Sequence, residues 1–259
     1  CSSRIRCSSS SVRPPDAVAR HTAELDRLNQ RGGRMLSIVD LIEAGTVTRE
    51  LAAYLLAAIG GGASFMTAAL PGGAGKTTVM GALLNFVPPG RDLVPADGAA
   101  ALAEGHDRPR PPRCFVCHEI GAGRYYAYLW NGLLRAYFEL VRAGHQLATN
   151  LHADSLDAAR RQVCVDNGVP EGDFNRMQLI LFIHWDGANR REIAEVWESD
   201  GASSHRRIFA AGTLERGAVR LAAAGVLAAA TGTLEALLRS GARTIGEVRR
   251  FLTASPGEA

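Results

Sequence analysis

Phe65-Met66-Thr67-Ala68-Ala69-Leu70-Pro71-Gly72-Gly73-Ala74-Gly75-Lys76-Thr77-Thr78 is the stretch whose reading decides the fold. Phe65 to Ala69 is a short apolar run of strand length. A glycine-rich turn follows, and Lys76 to Phe86 reads as a helix. A strand feeding such a turn and then a helix N-terminus converges backbone N–H groups on one point, where the helix dipole attracts an anion. Lys76 is also the only lysine: the other 28 of the 29 basic residues are arginine. A phosphate-cradling loop takes a compact ammonium on a flexible stem, which a planar guanidinium does not replace.

On that reading Gly72, Gly73, Ala74, Gly75, Lys76, Thr77 and Thr78 contact a nucleoside triphosphate. Lys76 reaches the β- and γ-phosphates, and the Thr77 hydroxyl holds Mg²⁺. The usual pattern has glycine five residues before Gly75, where this chain has Leu70 followed by Pro71. The plain alternative is a glycine-rich turn that binds nothing. Strand, helix and single lysine together argue against it.

Outward from the loop, helices alternate with apolar strands. The N-terminal side reads as a helix from Ala17 to about Arg31 and a second from Thr48, its N-cap, to Ile59. Beyond the loop, Leu93-Val94 is a short strand ending near Asp97, and 98–112 reads as a loop. Cys114 to Cys117 reads as a buried strand, Tyr125 to Arg142 as a long helix, Gln146 to Leu151 as a strand and Leu156 to Asp166 as a helix. Leu179 to Trp185 and Glu192 to Glu198 form a hairpin signal around Asp186-Gly187-Ala188-Asn189. After residue 205 the pattern turns helical, and Thr244-Ile245-Gly246-Glu247 is a capping box. The expected organisation is a disordered arm over 1–16, a helical segment over 17–62, an α/β core over 63–204 and a helical region over 205–259. The fold class is α/β, a mainly parallel sheet flanked by helices with a C-terminal antiparallel hairpin.

Bulk properties narrow the function. The chain has 259 residues, 47% hydrophobic and 21% charged, with a net charge of +3 and scattered arginines, so nothing indicates nucleic acid. The five cysteines are odd in number and not spaced as a disulfide scaffold, which suits a reducing, cytoplasmic compartment. The uncharged run over 51–75 is broken by Gly60-Gly61-Gly62 and Pro71-Gly72, unlike a membrane span. The start lacks Met and an apolar signal core, as in a fragment or a processed product.

Three further places invite chemistry. Glu119, after the strand ending at Cys117, is placed to polarise a water or support a Mg²⁺ shell. His145 and His152 bracket a strand, and the end carrying His152 suits a group that reads nucleotide state. Either histidine can equally be structural. Cys114-x-x-Cys117-His118 has a metal-site spacing but no second cysteine pair, so small buried apolar residues are the simpler reading.

The ordered set of motifs resembles the secretion ATPase superfamily, the ring motors of type II and type IV secretion, type IV pili and archaeal flagella. The resemblance covers about 35–209. It rests on the loop at 72–78, Leu84-Asn85-Phe86-Val87-Pro88-Pro89 with Asp97 beyond, the strand ending in Glu119, Gly144-His145, and Thr149-Asn150-Leu151-His152-Ala153-Asp154-Ser155. It closes on Asp186-Gly187 followed by Arg190-Arg191, Ile193 and Glu195-Val196. The resemblance implies a RecA-like core and a hexamer with ATP between subunits. It also implies a membrane partner in a secretion or pilus machine, with the chain at the inner face. It assigns Glu119 as the catalytic glutamate of the Walker B element, Asp97 as the acidic-box residue and His152 as the histidine-box residue. Two positions depart from the family: His118 stands where glycine precedes that glutamate, and Arg124 comes only after Gly121-Ala122-Gly123. The expected activity is ATP hydrolysis. A non-hydrolysing nucleotide-binding regulator or a P-loop kinase is the alternative.

Overall fold

The computed structural model describes residues 16–29, 32–70, 72–106, 111–188 and 190–254. The arm expected over 1–16 lies outside them apart from Asp16, as do Pro71 and Asn189. Three helices lead: α1 (Ala17–Leu28), α2 (Ile38–Glu43) and α3 (Arg49–Gly60). Each starts on a side-chain oxygen that satisfies an orphan N–H: Asp16, Ser37 and Thr48 respectively. The core then runs β1 (Phe65–Ala68), α4 (Lys76–Leu84), β2 (Leu93–Pro95), α5 (Ala99–His106), β3 (Cys114–Ile120) and β4 (Tyr128–Leu129). It continues through α6 (Asn131–Glu139), β5 (Gln146–Leu151), α7 (Leu156–Arg160), α8 (Glu171–Phe174), β6 (Leu179–Trp185) and β7 (Arg191–Glu198). The chain closes with β8 (Arg206–Ala210), β9 (Thr213–Leu214), α9 (Ala224–Ser240) and α10 (Ile245–Thr253).

The strand order is β2-β3-β5-β1-β6-β7-β8-β9, with β4 paired to the end of β3. β2 through β6 along this path are parallel, and β6 to β9 are antiparallel. This is the α/β architecture expected from the sequence. β5 stands between β1 and β3, so the loop after β1 and Glu119 near the end of β3 sit one strand apart at the same edge of the sheet.

Strand alternation divides the core into two layers. Phe65, Val116, Ala148 and Leu181 pack with Leu25, Leu51, Val79 and Val248 of the terminal and loop-following helices. Met66, Phe115, Leu147 and Ile180 pack with Leu102, Tyr137, Ala159 and Phe174 of α5 to α8. Cys114 belongs to the first layer and Cys117 to the second, so the two thiols cannot meet on one ion. Burial pushes each thiol up to about 12. Both are inert small apolar residues.

Three sequence expectations need correction. Residues 98–112 are not all loop, because Ala99 to His106 form α5; their alanines favour helix and Leu102 gives the helix a buried anchor. The helix expected from Tyr125 begins only at Asn131: Ala127 and Asn131 both have φ of 51°, a left-handed conformation that a helix cannot continue, and β4 lies between them. The chain does not turn helical at 205, because β8 and β9 first extend the sheet beyond β7. The capping box at Thr244 and Glu247 forms as expected and opens α10.

Candidate functional site

The loop between β1 and α4 takes its shape from glycine. Gly73 and Gly75 have φ of 91° and 99°, which residues with a Cβ avoid. Gly75 is the N-cap of α4, and no side chain caps that end, so its first N–H groups face outward for a ligand. A Cβ at Gly75 would also stand 3.3 Å from Cδ of Arg191. Leu70, at the position where glycine is usual, is half-exposed.

Lys76 is buried at the floor of a cavity of about 690 Å³. Its Nζ lies 3.3 Å from both ring nitrogens of His152 and 3.7 Å from Oε2 of Glu119. The same Oε2 is 3.7 Å from Nε2 of His152. The three side chains singled out from β-strand ends and loop thus converge. Burial pushes the Glu119 carboxyl up to about 7, with the Lys76 ammonium pulling the other way. Burial, and then Lys76, hold His152 below its ordinary value, so the ring is neutral and can accept from the ammonium.

Two structural details aim this cluster. The register between β3 and β5 shifts between Cys117 and Ile120, so β3 carries one extra residue opposite Asn150. The bulge interrupts strict alternation at His118 and Glu119. Asn150, fully buried one residue from the end of β5, then ties the parts together. Its Nδ2 donates to the His118 carbonyl at 2.7 Å and reaches the Thr77 hydroxyl at 3.4 Å. Its Oδ1 meets the Thr67 hydroxyl, which is also 3.2 Å from the Lys76 carbonyl.

Gly72 to Thr78, Glu119 and His152 all line the cavity. Asp97 does not; it is exposed, and its carboxylate accepts the Ala127 N–H at 3.3 Å, bracing the turn before β4. His145 is at the far end of β5, where Nδ1 accepts the Arg113 N–H and the ring packs on Phe115. Sequence reading did not single out Asn150, Arg191, Tyr125 or Tyr128 as site residues. The signal for Asn150 was a polar amide next to the end of a buried strand. For the other three, only tertiary packing brings them to the cavity wall. Met35, Leu36 and Leu41 add an apolar wall on the side of α2, with Thr46 beside it.

Whether Mg²⁺ fits can be judged from the donors. Among the described residues no group of three His, Cys, Asp or Glu could hold an ion alone. Glu119 nevertheless has a buried Oε1 with no hydrogen-bond partner among the described residues, and the Thr77 hydroxyl stands at the same end of the sheet. That set fits a cation whose remaining ligands come from phosphate and water.

Fold and site together define a phosphate-loop α/β protein. No family model matches the chain, and no curated protein matches it. Among solved structures it is similar to the VirB11 ATPase of the Brucella suis type IV secretion system, a structure in complex with sulphate. Identity is 20%, the match covers 73% of this chain and 59% of that one, and the TM-score is 0.42. The chain therefore spans less than two thirds of that protein's length, and a likeness of this size adds no weight to a functional reading.

Proposed function

We propose that the chain binds ATP with Mg²⁺ at this loop and hydrolyses it. The convergence of Lys76, Glu119 and His152 on one cavity carries the reading. The N–H groups of 73–78 and the Lys76 ammonium bind phosphate oxygens. Thr77 would hold Mg²⁺ and Glu119 would support its water shell; the ion, when bound, would supply charge neutralisation at the transferred phosphoryl group. Glu119 orients the attacking water and accepts its proton, and His152 shifts partner from Lys76 to the γ-phosphate. Asp97 acts only indirectly, through the turn it braces.

Phosphate release by wild type, Lys76→Ala and Glu119→Gln tests this. Lys76→Ala should weaken ATP binding by about tenfold or more. Glu119→Gln should keep binding and lose about a hundredfold or more in turnover. Equal rates for all three proteins would sink hydrolysis. Tight binding with no turnover in wild type would select a nucleotide-binding regulator instead, a reading favoured by the Lys76 ammonium being engaged by both Glu119 and His152. Phosphoryl transfer to an added acceptor would select a kinase. From the motif resemblance we also infer a cytoplasmic hexameric motor serving a membrane-bound secretion or pilus machine. No helix among the described residues is long and apolar enough to cross a membrane. Sizing with and without an ATP analogue tests the ring, and a persistent monomer counts against it.

A further inference from the structure

We propose that Arg191 is a second cation of the phosphate site, a nucleotide-binding residue held in place by Trp185. The inference rests on the nucleotide reading above and adds a residue to it. Arg191 opens β7, directly across the hairpin from Trp185 in register. Its guanidinium carbon lies 4.9 Å from the centroid of the indole, so one face of the cation is covered. The aliphatic part of the same side chain lies against Gly75, the residue before Lys76, where any Cβ would crowd it. Arg191 also lines the cavity that holds Lys76, Glu119 and His152.

The local acids are occupied elsewhere. Asp186 accepts the N–H groups of Ala188 and Arg190 within the hairpin turn, and Glu192 pairs with Arg190 at 2.6 Å. Among the described residues no carboxylate lies within ion-pair distance of Arg191. The start of β7 is tied to the cavity wall, because the Ile193 N–H donates to the carbonyl of Thr46, a lining residue, at 2.8 Å. The result is a charged, planar donor with its stem against the loop and one face on a ring. Its edge N–H groups are left for acceptors. The acceptors such a loop gathers are phosphate oxygens. Arg191 meets the polyphosphate chain rather than the base.

The test uses the full chain and two probes, a non-hydrolysable ATP analogue and inorganic tripolyphosphate, titrated by calorimetry and by tryptophan emission. Arg191→Ala should weaken both probes by about tenfold or more, and Arg191→Lys should recover part of that loss. The emission change on binding should disappear in Trp185→Phe. Thermal unfolding of each variant checks that the fold is kept. Wild-type binding of both probes with unchanged tripolyphosphate affinity in Arg191→Ala overturns the role of Arg191 alone. A loss confined to the ATP analogue overturns it too, since the contact would then be with the base. Failure of wild type to bind either probe overturns the nucleotide reading itself, and this inference with it.

Discussion

At the scale of a single residue, the proposed hydrolysis turns on Glu119. Its carboxyl is pushed up to about 7 because the burial penalty outweighs the pull of Lys76. A carboxyl raised this far is neutral below that value and becomes a proton acceptor only above it. Turnover per encounter, kcat/KM for ATP, should therefore rise as the medium goes from about pH 6 to about pH 8. A pH–rate profile of the free protein checks this, and a flat profile across that window counts against Glu119 as the base. The neighbouring His118 is held below its ordinary value, first by burial, and stacks near Tyr128.

The unit that positions the site at the scale of elements is the turn from β1 into α4, together with the bulge in β3. The turn depends on left-handed glycine backbone, and the bulge on one extra residue in β3. Gly75→Ala puts a Cβ on a residue with φ of 99° and against Arg191. The cost should be about 1–2 kcal/mol in urea unfolding, with weaker nucleotide binding as well. A variant as stable as wild type would mean that the loop relaxes without loss.

Over the whole molecule, the antiparallel end of the sheet holds the C-terminal helices in place through one buried acid. Glu198 is 1% exposed and accepts from the Tyr54 hydroxyl at 2.5 Å and from Arg206 at 2.9 Å. It also accepts the N–H groups of Arg220 and Leu221, at 2.8 Å and 3.3 Å. It joins β7 to α3, β8 and the approach to α9. Glu198→Ala leaves these donors unpaired and should cost about 3–5 kcal/mol, read as a lower urea midpoint by circular dichroism. Arg249 makes a similar link, donating to the carbonyls of Asn85 and Val87 just beyond α4.

Local chemistry was legible in the chain alone. A strand, a glycine turn and a lysine at a helix start are neighbours in sequence, and the segments that became β1, β5, β6 and β7 are each read within a few residues. Capping at Thr48 and Thr244 is likewise decided within four residues. Tertiary structure decided the rest. Left-handed backbone at Ala127 and Asn131 delayed α6, and β7 drew Arg206–Ala210 into the sheet against a helical pattern. The bulge at Glu119, the central amide of Asn150 and the approach of Arg191 to Gly75 also come from pairing between distant segments. Such pairing depends on register and burial across the whole sheet, which no window of neighbouring residues contains.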